Sequence, residues 1–344
     1  MTDASREARG EVEVVASAAQ RLHGSAAWCA TMQVCWDNML ETLCDGIPLS
    51  PLGGTNELVK ALNAGRLGAD ALPRDHFYAY SGPRDQQARR EIETALRQRF
   101  GQSSDILDQL DWSEPAPGVV SLLFYCMLYR KFSFPVPFGV REGEPWGDED
   151  GDEDACVTYF EAHDPHRYRA RRMREQVRPL YYVDDRHHAV SLQTKEGDSI
   201  VLVRSPRGVT FAEMWDNAID QARCANQAQT LPLGDDDSFR CPYLSLELSK
   251  EFRELDGLVF LDAKGQECGI TQALQTIRLS LDNEGGEVKS EAAIATCAMG
   301  ALDFSRIRNF DYDGRFALFL VGGEVRADSH PYLALLVDDV RLFQ

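Results

Sequence analysis

Basic charge is scarce in this chain of 344 residues: 36 lysines and arginines stand against 55 aspartates and glutamates, a formal net charge of −19. Nucleic acids and anionic membranes are held by basic faces, so neither is an expected partner. No run approaches the roughly 18 consecutive apolar residues that a membrane-crossing helix needs. The opening stretch MTDASREARGEVEVV lacks the basic flank and apolar run of a secretion signal. Nine cysteines, an odd number without a CxxC pair, give neither a disulfide framework nor a zinc site. They read as free thiols of a reducing compartment, and a cytoplasmic location is expected. Also missing are GxSxG, SxxK, GxxxxGK[ST], GxGxxG and HExxH, which removes the common signatures of acyl transfer, nucleotide binding and metal-dependent hydrolysis. No enzyme activity, cofactor or metal is expected.

What is present is ordinary globular material, 44% hydrophobic and 26% charged. Residues 1 to about 25 read as a frayed or helical lead-in. Helical sequence from Trp28 to Ala64 is broken by IPLSPLGG. DQQARREIETALRQRF is the clearest helix, with Ile92, Leu96 and Phe100 four apart on one face. VVSLLFYCMLY suits a central strand covered on both faces. The acidic run REGEPWGDEDGDED has the look of a surface loop and lacks the spacing of a calcium loop. HAVSLQT and SIVLVR flank the turn KEGD as a hairpin. TFAEMWDNAIDQARCA opens with a capping box, Thr210 to Glu213. YLSLELS, IRLSLDN, RFALFLVGG and PYLALLVDDV read as strands. The fold class is mixed α/β, of the α+β type.

Candidate chemistry is thin. His163 and His166 in HDPH read as surface loop residues, and His187 and His188 as solvent-facing at a strand entry. Cys126, Cys224 and Cys241 read as buried, inert thiols. One stretch stands out. Between Glu291 and Asp303 lie eleven residues with no charge and no proline, nearly all small. A segment that must slip into an existing sheet needs that composition, because alternate side chains enter the core and a charge there would be buried unpaired.

IRLSLDNEGG followed by Ser290, Glu291, Ala292, Ala293, Ile294, Ala295 and Thr296 resembles the hinge and small-residue segment of the serpins. YDGRFALFLV and SHPYLALLVDDV are similar to that family's closing strands. IETALRQRFGQSSDILDQL resembles the helix lying across its main sheet, and LLFYCMLYRKFSFPVPF the strand after it. The resemblance implies a large central β-sheet with smaller sheets and surrounding helices. Residues 88–344 would be the serpin-like region, integrated with a divergent, mostly helical part at 1–87. It implies a protease inhibitor acting as a suicide substrate, monomeric, whose partner is a target protease of the serine or cysteine type. The reactive loop would span about 287–309, with Asp303 or Phe304 as scissile residue and Glu284 and Gly285 at the hinge. Cys126 stands where the family has an asparagine under the sheet opening, and Gln275 where it has a histidine. Phe134 replaces a tryptophan, and Gly286, Glu287, Val288 and Lys289 read as extra hinge residues. These departures leave open a second reading, a non-inhibitory binding protein on the same scaffold.

Overall fold

FALFLV and PYLALLV, apolar at almost every position, build the middle of the largest sheet. The computed structural model of the chain describes residues 11–65, 77–113, 120–147, 156–287 and 307–344. It begins with strands β1 (Glu13–Val15) and β2 (Ala26–Cys29), then helices α1 (Thr31–Leu43) and α2 (Glu57–Ala64). Next come β3 (Phe77–Pro83), helix α3 (Gln86–Phe100), β4 (Leu122–Leu128), β5 (Lys131–Ser133), β6 (Gly139–Pro145) and β7 (Cys156–Glu161). Helix α4 (Arg167–Glu175) precedes β8 (Val177–Asp184), β9 (His187–Gln193), β10 (Ser199–Arg204) and helix α5 (Phe211–Cys224). The remainder is sheet: β11 (Ser238–Pro242), β12 (Leu244–Glu251), β13 (Val259–Leu261), β14 (Glu267–Gly269) and β15 (Leu274–Leu281). It closes with β16 (Gly285–Glu287), β17 (Asn309–Asp311), β18 (Phe316–Val321) and β19 (Pro331–Val337).

Seven strands form one sheet in the order β1-β2-β19-β18-β10-β9-β8. All six residues of both β10 and β18 are buried, so the sheet is covered on both faces. On one face α5 packs Phe211 and Trp215 against Phe319, with ring centroids 6.4 and 5.3 Å apart. Toward the other lies a four-stranded sheet, β17-β11-β7-β6, and Tyr312, just past β17, meets Phe316 with ring centroids 5.5 Å apart. Helix α5 starts as its sequence predicts: Thr210 Oγ1 accepts the Glu213 amide at 3.1 Å. The Glu213 carboxylate reaches one residue further back than a capping box requires, accepting from the Val209 amide at 2.8 Å. Helix α3 is capped by Asp85 and ended by left-handed Gly101. It lays Ile92, Leu96 and Phe100 on Leu123 and Tyr125 of β4.

Several expectations are corrected. Within the described part of the lead-in, residues 13–15 form strand β1, paired parallel with β2. The helical stretch expected from Trp28 opens with the end of β2, which is fully buried and pairs antiparallel with β19; tertiary pairing overrides a weak local signal. REGEP lies in edge strand β6 rather than a loop. His188 is fully buried, between Tyr182, Phe310 and Tyr312, and Cys224 is exposed at the end of α5. The VVSLLFYCMLY strand pairs only with β3, and its other edge has no strand partner among the described residues.

Candidate functional site

That open edge defines the site. Strands β3 and β4 form one half-sheet; β12, β15, β16 and β5 form another, in that order. Between β4 and β15 runs a cavity of about 1220 Å³. Both walls are strand edges, and the floor is α1, which presents Met32, Cys35, Trp36 and Met39. Side chains of β15 alternate cleanly, with Gln275, Ile277, Leu279 and Leu281 buried. On β4, Phe124 and Leu128 pack toward the same main core, whereas Leu123 and Tyr125 face α3.

Cys126 and Gln275 stand on opposite walls. Gln275 is buried, and its Nε2 donates to the Cys29 carbonyl and to Thr31 Oγ1, both at 3.0 Å. A carbonyl only accepts, so the amide orientation is fixed, and the buried Oε1 is left without a protein partner. Gln275 thereby ties β15 to the start of α1. The Cys126 thiol is pushed well up by burial, with the neighbouring Cys35 and Cys29 thiols adding to the effect. Burial likewise carries Cys35 to about 12. These are poor thiolates, and the site holds no primed cysteine nucleophile.

The segment expected to act as a hinge, β16 and the turn before it, closes one end of the cavity. Strand β16 pairs antiparallel with β15 on one side, Leu281 opposite Gly286, and with β5 on the other, Phe132 opposite Gly286. A turn leads into it: the Glu284 and Gly285 amides donate to Asp282 Oδ1 at 2.8 and 3.1 Å, and the Glu284 carbonyl accepts from Phe134 N at 2.8 Å. Glycine is required at both following positions. Gly285 has φ +147°, and a Cβ there would meet the Phe132 carbonyl oxygen at 2.3 Å. A Cβ on Gly286 would meet the Ser280 carbonyl oxygen at 2.3 Å. Two of the four residues read as hinge extras, Gly286 and Glu287, are therefore part of the paired strand itself. Glu287 accepts a hydrogen bond from Tyr129, whose phenol is raised to about 12 by burial and by that carboxylate.

The positions at 288–306, which include Ser290, Glu291, Ala292, Ala293, Ile294, Ala295, Thr296, Asp303 and Phe304, lie outside the described residues. By contrast, Cys126 and Gln275 line the cavity, and Glu284 and Gly285 lie in the turn and strand docked on β5 beyond its end. Residue patterns gave no signal for Arg130, Ser133, Glu196 and Asp198, which meet beside the hinge from segments over 60 positions apart. Among the described residues, no group of three or more His, Cys, Asp or Glu is arranged to hold a metal ion.

A mixed α+β architecture with, among the described residues, one seven-stranded sheet, several smaller sheets and surrounding helices is that of a serpin-like fold. In sequence the chain matches no known protein family and no curated protein. Its structure does find neighbours. A thyroxine-binding globulin in complex with thyroxine is 11% identical, with a TM-score of 0.51 over 92% of this chain and 93% of that one. The mouse protein-Z dependent protease inhibitor is 13% identical, with a TM-score of 0.50 over 92% and 91%. Serpin48 of the insect Tenebrio molitor is 12% identical, with a TM-score of 0.47 over 92% of each chain. At these identities the likeness is one of fold, and the sequence is a divergent one.

Proposed function

We propose that the chain inhibits a protease by acting as a suicide substrate. The protease nucleophile attacks a carbonyl in the loop at 287–309, the peptide bond breaks, and the freed amine leaves. The acylated strand then enters the slot between β4 and β15 before water can release the enzyme. The hinge carries this reading. Its register, continued past Glu287, brings Ala292 into line with Cys126 on one wall and Gln275 on the other. Val288, Ser290, Ala292, Ile294 and Thr296 then fall on the side of Phe124, Leu128 and Ile277, toward the main core. Lys289 and Glu291 fall on the opposite face. A slip by one residue would bury both charges, so the alternation suits this slot in one register only. Asp303 and Phe304 are the proposed scissile residues, directing the inhibitor to an acid- or aromatic-specific enzyme.

The test is incubation with a protease panel, reading an SDS-stable adduct and the thermal stability of the cleaved chain. Adduct and a large rise in melting temperature are expected. Ala292→Arg, on the inward face, should be cleaved without forming adduct, while Glu291→Arg, on the outward face, should still form it. Cleavage of the native chain with neither adduct nor stabilisation overturns the proposal in favour of a non-inhibitory binding protein.

A further inference from the structure

Strand β5 is only three residues long, yet the hinge depends on it. The chain leaves the β3–β4 half-sheet after Leu128 and joins the other half-sheet at Lys131, and β16 is what connects β5 to β15. Alternate residues of a strand turn their backbone groups to opposite edges. Phe132 and Phe134 turn theirs toward the hinge: Phe132 stands opposite Gly286, and Phe134 N donates to the Glu284 carbonyl at 2.8 Å. Ser133 turns the other way, and there the β9–β10 turn receives it.

That reception is complete. The Ser133 amide donates to Glu196 Oε2 at 2.7 Å, its hydroxyl to Glu196 Oε1 at 2.6 Å, and its carbonyl accepts from Lys195 N at 2.8 Å. The turn is itself braced, with Asp198 N donating to Thr194 Oγ1 at 3.0 Å and Thr194 N to the Asp198 carbonyl at 3.0 Å. Beneath it Arg130 Nε donates to the Asp198 carboxylate, with side chains only 2% and 1% exposed. A buried ion pair costs desolvation that apolar residues would avoid, so its place here calls for a role other than bulk stability. Charge-assisted bonds are the shorter and stronger kind, and they hold geometry tightly.

We infer that Glu196 and the Arg130–Asp198 pair are positioning residues that fix β5 as the edge on which the hinge docks, and so hold the slot ready for a strand. The inference rests on the slot reading of the hinge, but its test needs no protease. Hydrogen exchange would be followed at the amides of Phe134, Gly286 and Glu287, with β18 and β19 as internal reference. In Glu196→Ala the hinge amides should exchange about tenfold faster or more, while the reference amides stay unchanged, because opening is local. Glu196→Gln, which keeps an acceptor for the Ser133 amide, should restore most of the protection. Ser133→Ala, which removes the hydroxyl bond alone, should give a smaller rise at the same amides. Unchanged hinge exchange in Glu196→Ala, or an equal rise in β18 and β19, overturns the assignment. Should Glu196→Ala fail to fold, absence of any hinge-specific rise in Ser133→Ala overturns it equally.

Discussion

Replacing Gly286 by alanine tests the hinge with one methyl group. The added Cβ would lie 2.3 Å from the Ser280 carbonyl oxygen and 2.7 and 2.9 Å from Phe132 ring carbons, where ordinary contact begins near 3.4 Å. The carbonyl belongs to paired strand β15, so it is the hinge that must retreat, by about 1 Å, a distance over which a backbone hydrogen bond is largely lost. Two such bonds at about 1 kcal/mol each, with about 1–3 kcal/mol of overpacking, put the cost of docking on the order of 3 kcal/mol. The docked-to-released ratio of β16 would fall on the order of 100-fold. Exchange at Gly285–Glu287 reads this directly, and the yield of protease adduct reads its consequence, since later residues can align only behind a docked hinge. The reasoning is refuted by an alanine variant that keeps wild-type exchange at the hinge.

Two further outcomes are expected. His188 is lowered to about 4, chiefly by burial, so its folded pKa lies below the ordinary 6.5. Its contribution to stability is complete above that value and is lost as pH falls toward 4, which amounts to about 2–3 kcal/mol at pH near 4.5. Denaturant unfolding should show this loss between pH 7.5 and 4.5 and show little of it in His188→Gln; an equal pH slope in both proteins would contradict it. Alkylation of the native chain near pH 8 should label exposed Cys156 and Cys224 quickly and spare Cys126 and Cys241, both buried and raised well above the ordinary thiol range by burial. Rapid labelling of Cys126 would mean that its wall of the slot is not packed as described.

The elements legible in the sequence are those whose signal is local. KEGD between two apolar runs sets the β9–β10 hairpin, and the Thr210 cap sets the start of α5. Leu244, Leu246, Ile277 and Leu279 alternate because β12 and β15 bury one face each. The slot is not local. LLFYCML carries the composition of a strand with both faces covered, and its faces are covered; nothing in the run reports that one edge stays unpaired, because that depends on β15, some 150 positions on. His188 misleads for the same reason. Tyr182 lies nearby, but Phe310 and Tyr312 arrive from β17 and its extension to shut the imidazole in. Resemblance located Cys126 and Gln275, while the tie from Gln275 to Cys29 and Thr31 joins segments more than 240 positions apart and leaves no local pattern. The clamp on β5 left no pattern to read, since Arg130 and Asp198 look like ordinary surface charges until burial pairs them.

The pairing of β2 with β19 has a consequence for how the molecule is made. Among the described residues, the neighbours of β2 in its sheet are β1 and β19, the latter synthesised some 300 residues later. The Ala30 amide, at the entry to α1, likewise donates to the Tyr332 carbonyl at 3.0 Å. A ribosome-bound chain lacking residues 331–337 therefore has both walls of the slot in hand while β2, the strand that leads into the helix flooring it, still lacks its partner β19. Such long-range closure is slow, and unpaired strand edges are sticky while they wait. The nascent protein must pass through a stage in which its most strand-hungry surface is open, which makes the interval between synthesis of β15 and docking of β19 the period of greatest exposure to misassembly.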